Sequence, residues 1–318
     1  MDVPQYSVGY KIKNVLRVAY TLPFVLASIT GAVFALTQKS EWLMAFLIPL
    51  DVFFLAMFVN LSNDYYDHKS GSDKVRFDLL DKAYEERASG SQKGTIYWQG
   101  NSFDRGLISE RGGQLLMAVL AGLAVLVAIP IILYGGVLVI VLGLVALFLS
   151  FFYTAPPLHL GSRGLGELDV GISFAFMSFF TYYVIVGRFD WTMLIIAVTV
   201  GMNVMNMRIV DQMSGMEAHK LAGEKDLVVR LGIDKATELM WSIWFLMYAL
   251  CLVLVYLNWT FAFLYLSAPL AFQSIRYLRK KEGDLWVVAP VLSTFKLALS
   301  HMLLVIVALI LQSALTFA

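Results

Sequence analysis

Charge and cysteine are both scarce in this sequence. Only 15% of its 318 residues are Asp, Glu, Lys or Arg, where a soluble domain carries about a quarter. The single cysteine, Cys251, lies in an apolar run, which excludes an intramolecular disulfide and leaves it as a packing residue. The four histidines, His68, His159, His219 and His301, are scattered, and no Gly-x-Gly-x-x-Gly opens a helix after a strand. Signals for haem, nicotinamide and nucleic acid are therefore missing. A cleavable signal peptide is not evident either, because MDVPQYSVGYKIKN is polar and leads into an apolar segment of full span length.

What fills the chain instead is apolar: 59% hydrophobic residues and a mean hydropathy of +0.73. That is the composition of a polytopic membrane protein. At about 20 residues per helical crossing, about nine spans are expected, at 15–36, 42–61, 113–134, 136–153, 169–187, 191–210, 236–257, 259–276 and 288–312. Connections on one side are short. On the other they are long, at 62–112, 154–168, 211–235 and 277–287, so the chemistry hangs from one face. Of the 24 Lys and Arg residues, only Lys39 and Arg188 fall on the short-loop side and Lys296 lies within the last span. Positive residues stay cytoplasmic, which places the N-terminus and long loops inside and the C-terminus outside.

The second span ends in NLSNDYYDHKSGSD, residues 60–73. Asn60, Asn63, Asp64 and Asp67 fall at i, i+3, i+4 and i+7, one stripe of a helix. Two carboxylates one turn apart suit Mg²⁺, which takes oxygen ligands and leaves positions for a phosphate. Helix ends also collect Asn, Asp, Ser and Gly as caps and turns, so capping competes with metal binding here. Further up this span, Asp51 is costly at mid-membrane. It reads as a functional group or, more readily, as a structural partner for Lys296 or His301. Loop 62–112 is of lid length, and Lys69, Lys74, Arg76 and Arg105 suit a cap over an anionic substrate.

After the fourth span, FYTAPPLHLGSRGLGELD breaks the helix with two prolines and permits close backbone approach at its glycines. Arg163 within it suits a phosphate, and Tyr153 stands at the helix end as a cavity or interfacial belt residue. Span six then runs into GMNVMNMRIVDQMSGMEAHKLAGEKD, where Asn203 and Asn206 repeat the spacing of Asn60 and Asn63. A weak internal repeat of this kind builds one site from two halves and strengthens the metal reading of both loops. Asp211 shares a face with Arg208, whereas Glu217 joins Asp211 only if Ser214-Gly215 breaks the helix. Lys220 and Lys225 follow within reach of a phosphate.

These residues resemble the UbiA superfamily of intramembrane aromatic prenyltransferases over nearly the whole chain, as a single domain, 1–318. Asn63, Asp64 and Asp67 match the family's Asn-Asp-x-x-Asp motif. Lys69 to Asp73, RGLISERGG, YTAPPL, GSRGLGELD and AGEKDLVVRLG are similar to the branch that prenylates 1,4-dihydroxy-2-naphthoate in menaquinone synthesis. One departure stands out. The second motif's two aspartates fall here at Gly215 and His219, so either the loop holds an extra turn and Asp211 serves, or Glu217 works almost alone.

The resemblance implies an all-α bundle of about nine spans around a central cavity, capped by cytoplasmic loops, in a bacterial plasma membrane. It implies a polyprenyl diphosphate donor, a dihydroxynaphthoate-like acceptor and Mg²⁺ on Asp64, Asp67, and Asp211 or Glu217. Asn60, Asn63, Lys69, Tyr153, Arg163, Asn203, Asn206, Arg208, Lys220 and Lys225 would bind substrate. Tyr182 and Tyr183 would face the allylic cation, or simply pack within span five. Other phenols, such as 4-hydroxybenzoate, are alternative acceptors. A secondary transporter is the alternative of another class, although it would more naturally place its charges at mid-membrane.

Overall fold

The computed structural model describes residues 7–71, 101–153, 157–158, 160–221, 223–281 and 289–317. Among them there is no strand. The helices are α1 (Val8–Val15), α2 (Val18–Leu36), α3 (Trp42–Ser70), α4 (Glu110–Gly135), α5 (Val137–Phe152), α6 (Gly166–Val186), α7 (Trp191–Leu221), α8 (Leu227–Leu257), α9 (Ala268–Lys280) and α10 (Ala289–Phe317). Short 3₁₀ turns cover Leu160–Arg163 and Trp259–Ser267.

Six of these helices are long and apolar enough to cross a membrane, and α1 with α2 makes a seventh if that pair, bent by 56°, is one span. Helix α5, at 16 residues, spans ~24 Å and is shorter than a hydrocarbon core. The expected crossing at 259–276 is split between the 3₁₀ turn and α9, because Asn258 caps Thr260 and starts the tighter winding. Two helices run well past the membrane limits read from hydropathy. Helix α3 continues to Ser70, where Gly71 closes it in the left-handed region at φ +72°, a conformation that glycine takes at least cost. Helix α7 continues to Leu221.

Helices α2, α6, α7 and α10 pack against one another at the centre, with α3 on α2 and α4, and α8 on α7. Lipid supplies no hydrophobic drive between helices, so close approach over small residues and polar cross-links hold them. A Cβ on Gly31 of α2 would land on the Ser178 carbonyl of α6, and one on Gly201 of α7 on the Gly171 carbonyl. Beside the first contact, Ser28 and Thr181 share a hydrogen bond of 2.9 Å, and Ser178 donates to the Ala27 carbonyl at 2.8 Å. Gly31→Leu is expected to lower stability by about 3 kcal/mol, read as a drop in melting temperature in detergent.

The mid-membrane polar groups are arranged differently from the expectation. His301 pairs with Thr199 at 3.1 Å, Lys296 lies exposed on α10, and Asp51 makes no hydrogen bond through Oδ1. The proposed partnership of Asp51 with Lys296 or His301 is absent among the described residues.

Candidate active site

Up-and-down connectivity brings the C-terminal ends of α3, α5 and α7 and the N-terminal ends of α4, α6 and α8 to one end of the bundle. The acidic stripe lies on α3 as helix. Asp64 is almost fully buried and Asp67 half-buried. The Asp64 carboxylate pairs with Arg17 and accepts the Ser102 amide at 3.2 Å, while Asn101 donates to the Asp64 carbonyl at 2.7 Å. Arg17 sits at the α1–α2 bend with φ +45°, a strained value for a residue with a Cβ. Asn60 donates to Thr21 of α2 at 3.3 Å, and Asn63 is half-buried. Neither Arg17 nor the Asn101–Ser102 turn was marked by sequence; a lone arginine after an amphipathic stretch and a polar Asn-Ser pair carry no period.

Lys69 is exposed and pairs with Glu110 at 2.5 Å. Arg105 donates to the Tyr10 hydroxyl at 2.7 Å, tying the end of the long loop to α1. Lys74 and Arg76 lie outside the described residues. The two halves meet through aromatic rings: Tyr66 of α3 meets Phe151 of α5 edge-on, with centroids 6.0 Å apart. Two residues on, the Arg208 guanidinium lies 5.7 Å from the centre of the Tyr153 ring.

Around Arg208 a second charged group gathers. It is paired with Asp211, and Glu167, at the start of α6, lies in its field together with Asp226. Asn203 and Asn206 are buried against α8. The Trp244 indole donates to Asn203 Oδ1 at 3.2 Å, and Asn206 Nδ2 donates to the Met240 carbonyl at 3.1 Å. Their remaining polar atoms, Asn203 Nδ2 and Asn206 Oδ1, have no hydrogen-bond partner. Glu167 was missed by sequence because in its stretch, GSRGLGELD, the glycines and Arg163 carry the visible pattern.

The second motif departs from expectation in geometry. Helix α7 runs unbroken through Ser214 and Gly215, so Asp211 and Glu217, six residues apart, stay on different faces. Glu217 is exposed and bonded by Lys220 at 3.0 Å. Its convergence with Asp211 on one metal is not made here. Tyr182 and Tyr183 lie fifteen residues or more along α6 from Glu167, ~22 Å by helix rise. The Tyr182 hydroxyl donates to Gln38 at 3.0 Å at the opposite end, so the packing reading holds for it. Arg163 and Lys225 are exposed, and Arg230 clasps both carbonyls, donating at 2.6 and 2.7 Å.

His219 is buried, its Nδ1 2.6 Å from Asp226 Oδ2, with Glu224 Oε2 at 3.9 Å. These three ligand atoms lie within 4.8 Å of one another. Asp226 is also the N-cap of α8, accepting the Val229 amide at 2.7 Å, so the cluster first of all closes the loop between α7 and α8. Burial alone would raise the Asp226 carboxyl; the His219 bond, the Val229 amide and nearby positive charge together hold it below its ordinary value. A lowered carboxyl stabilises fully above its unfolded value, about pH 4, and that contribution is lost as pH falls through the folded value. Asp226→Asn is therefore expected to cost about 1–2 kcal/mol at pH 7. It should also flatten the wild-type loss of melting temperature below about pH 4, which detergent melting curves from pH 7 to pH 3 would read.

The stripe on α3 supplies only hard oxygen donors: two carboxylates one turn apart, flanked by amides. That set fits Mg²⁺ held by one or two carboxylates and completed by substrate phosphate.

A sequence model of the UbiA prenyltransferase family matches residues 22–300, and the chain belongs to that family. It is an integral membrane prenyltransferase. The chain is 29% identical over 262 residues to the 1,4-dihydroxy-2-naphthoate octaprenyltransferase of Haemophilus influenzae, covering 79% of this chain and 80% of that one. It is 26% identical to the 2-carboxy-1,4-naphthoquinone phytyltransferase of Synechocystis sp., over 81% and 79% of the two chains. A UbiA homolog from Archaeoglobus fulgidus, solved bound to GPP and Mg²⁺, shares the fold with a TM-score of 0.58 at 17% identity, over 93% of this chain and 99% of that one.

Proposed function

We propose that this enzyme transfers a polyprenyl group from polyprenyl diphosphate to 1,4-dihydroxy-2-naphthoate in menaquinone biosynthesis. The observation that carries the reading is the placement of two charged groups at the same end of the bundle. One is the Asp64–Asp67 stripe with Arg17; the other is Tyr153, Arg208, Asp211 and Glu167. The names of the naphthoate-prenylating relatives support the acceptor.

In this reading Asp64 and Asp67, with Asp211 from the second half, would hold Mg²⁺, whose charge would offset that of the diphosphate and favour its departure as a leaving group. Arg17 and Arg208, each already beside a motif carboxylate, turn their guanidiniums to phosphate or acceptor oxygens. Exposed Lys69, Arg163, Lys220 and Lys225 draw the anionic donor to this end. Asn60, Asn63, Asn203 and Asn206 fix the helices that carry the carboxylates. The apolar walls of α3 to α7 keep water from the allylic carbon. The chain acts as a single domain of nine crossings. The basic long loops support a site on the cytoplasmic side of the membrane, and the bacterial relatives support a bacterial plasma membrane.

The test is prenyl transfer by the purified protein in detergent from a radiolabelled prenyl diphosphate, with 1,4-dihydroxy-2-naphthoate and 4-hydroxybenzoate as parallel acceptors. Prenylated naphthoate is the expected product. Product from hydroxybenzoate alone would overturn the acceptor and keep the reaction; no product from either would overturn both.

A further inference from the structure

Among the described residues, Glu167 is the one carboxylate with both oxygens buried and without a side-chain hydrogen-bond partner. It is 1% exposed and occupies the first turn of α6, where helix amides favour a negative charge. The groups that act on it are the Arg208 guanidinium, the Asp226 carboxylate and the amides of its own turn and of Leu227. Tyr153 and Asp211 share the same cluster. Arg208, though paired with Asp211, keeps a buried Nε–H without an acceptor. A buried acceptor and a buried donor in one cluster, neither with a side-chain partner at these atoms, call for a ligand that satisfies both. A hydroxyaromatic acid does so, presenting a hydroxyl to the carboxylate and a carboxylate to the guanidinium.

Resting on the prenyl-transfer reading above, we propose that Glu167 is the base that receives the acceptor's hydroxyl proton, with Arg208 orienting the acceptor's carboxylate beside it. Removal of that proton places electron density on the ring carbon next to the oxygen. This carbon bonds to C1 of the prenyl group as the C1–O bond breaks and the electron pair leaves on the diphosphate. The ring, now a dienone, loses CO₂ from the same carbon. The pair from that bond restores the aromatic ring, and Glu167 returns the proton to the oxygen. The prenyl group enters, CO₂ and diphosphate leave, and no proton is gained or lost.

The experiment compares wild type, Glu167→Gln and Glu167→Asp for transfer between pH 7 and pH 10, using an acceptor that wild type prenylates. GPP binding with Mg²⁺ and the melting temperature are measured on the same preparations. Glu167→Gln is expected to lose about 100-fold or more in transfer at pH 7 while binding GPP within about twofold of wild type. Its deficit should shrink towards about pH 10, where phenolic hydroxyls ionise unaided, and Glu167→Asp should recover part of the rate. Transfer by a folded Glu167→Gln within about threefold of wild type at pH 7 would overturn the proposal. So would a parallel loss of GPP binding, or a deficit independent of pH. Wild type inactive with either acceptor would sink the functional reading and this role together, whereas an active wild type matched by Glu167→Gln would sink this role alone.

Discussion

Asp67→Asn is expected to lower prenyl transfer by about 1,000-fold or more, equivalent to about 4 kcal/mol of transition-state stabilisation, with little change in melting temperature. Asp67 is half-buried on the outer turn of the α3 stripe. Exchange for the isosteric amide keeps shape and removes the negative charge on which a hard divalent cation depends. Asp64→Asn should abolish transfer as well, but with a different companion effect. Its carboxylate faces Arg17 and the Ser102 amide and is 1% exposed. Neutralising it leaves a guanidinium without its counter-charge and loosens the turn that closes over α3, costing about 2–3 kcal/mol. Kinetics and melting curves on the two variants separate these roles: activity alone falls in one, activity and stability in the other.

Arg208→Met carries the second large effect. Asp211, Glu167 and Asp226 all lie in the field of this one guanidinium, and Tyr153 packs against it. Methionine preserves much of the side chain's length while removing the charge, so Asp211 loses its ion-pair partner and Glu167 and Asp226 lose a nearby positive charge. Loss of one member of a partly buried ion pair is more costly than the pair is worth. A destabilisation of about 2–3 kcal/mol is expected at pH 7, together with loss of transfer. Melting curves at pH 7 would read the first and the prenyl-transfer assay the second. Arg208→Lys should recover stability better than activity, because an ammonium supplies charge without the planar fork.

The parts of this molecule that repeat or run apolar could be read from sequence; the parts that depend on single residues could not. The starts of α3, α4 and α7 follow from hydropathy to within a few residues. The acidic stripe of Asn60, Asn63, Asp64 and Asp67 follows from its spacing, and the structure indeed carries it as helix. Hydropathy fails at the other ends of α3 and α7, where polar residues continue the helix beyond any apolar run. Ser214-Gly215 reads as a breaker, yet it is held helical within α7, where His219 packs directly over Gly215. The split at Trp259–Ser267 turns on one asparagine cap. Arg17 and Glu167 have no pattern at all: each acquires meaning only when packing brings it beside a carboxylate or a guanidinium from a distant part of the chain. Tyr182 and Tyr183 illustrate the converse, residues attractive by type that the fold carries to the wrong end.

The most direct measurement of the central claim is titration of GPP into the purified protein by calorimetry, with Mg²⁺ and then with EDTA, for wild type and Asp67→Asn. Saturable binding by wild type that requires Mg²⁺, and that Asp67→Asn loses in proportion to its transfer activity, is the predicted result. Binding of equal strength in EDTA, or in a folded Asp67→Asn, would contradict a metal-held diphosphate on the α3 stripe.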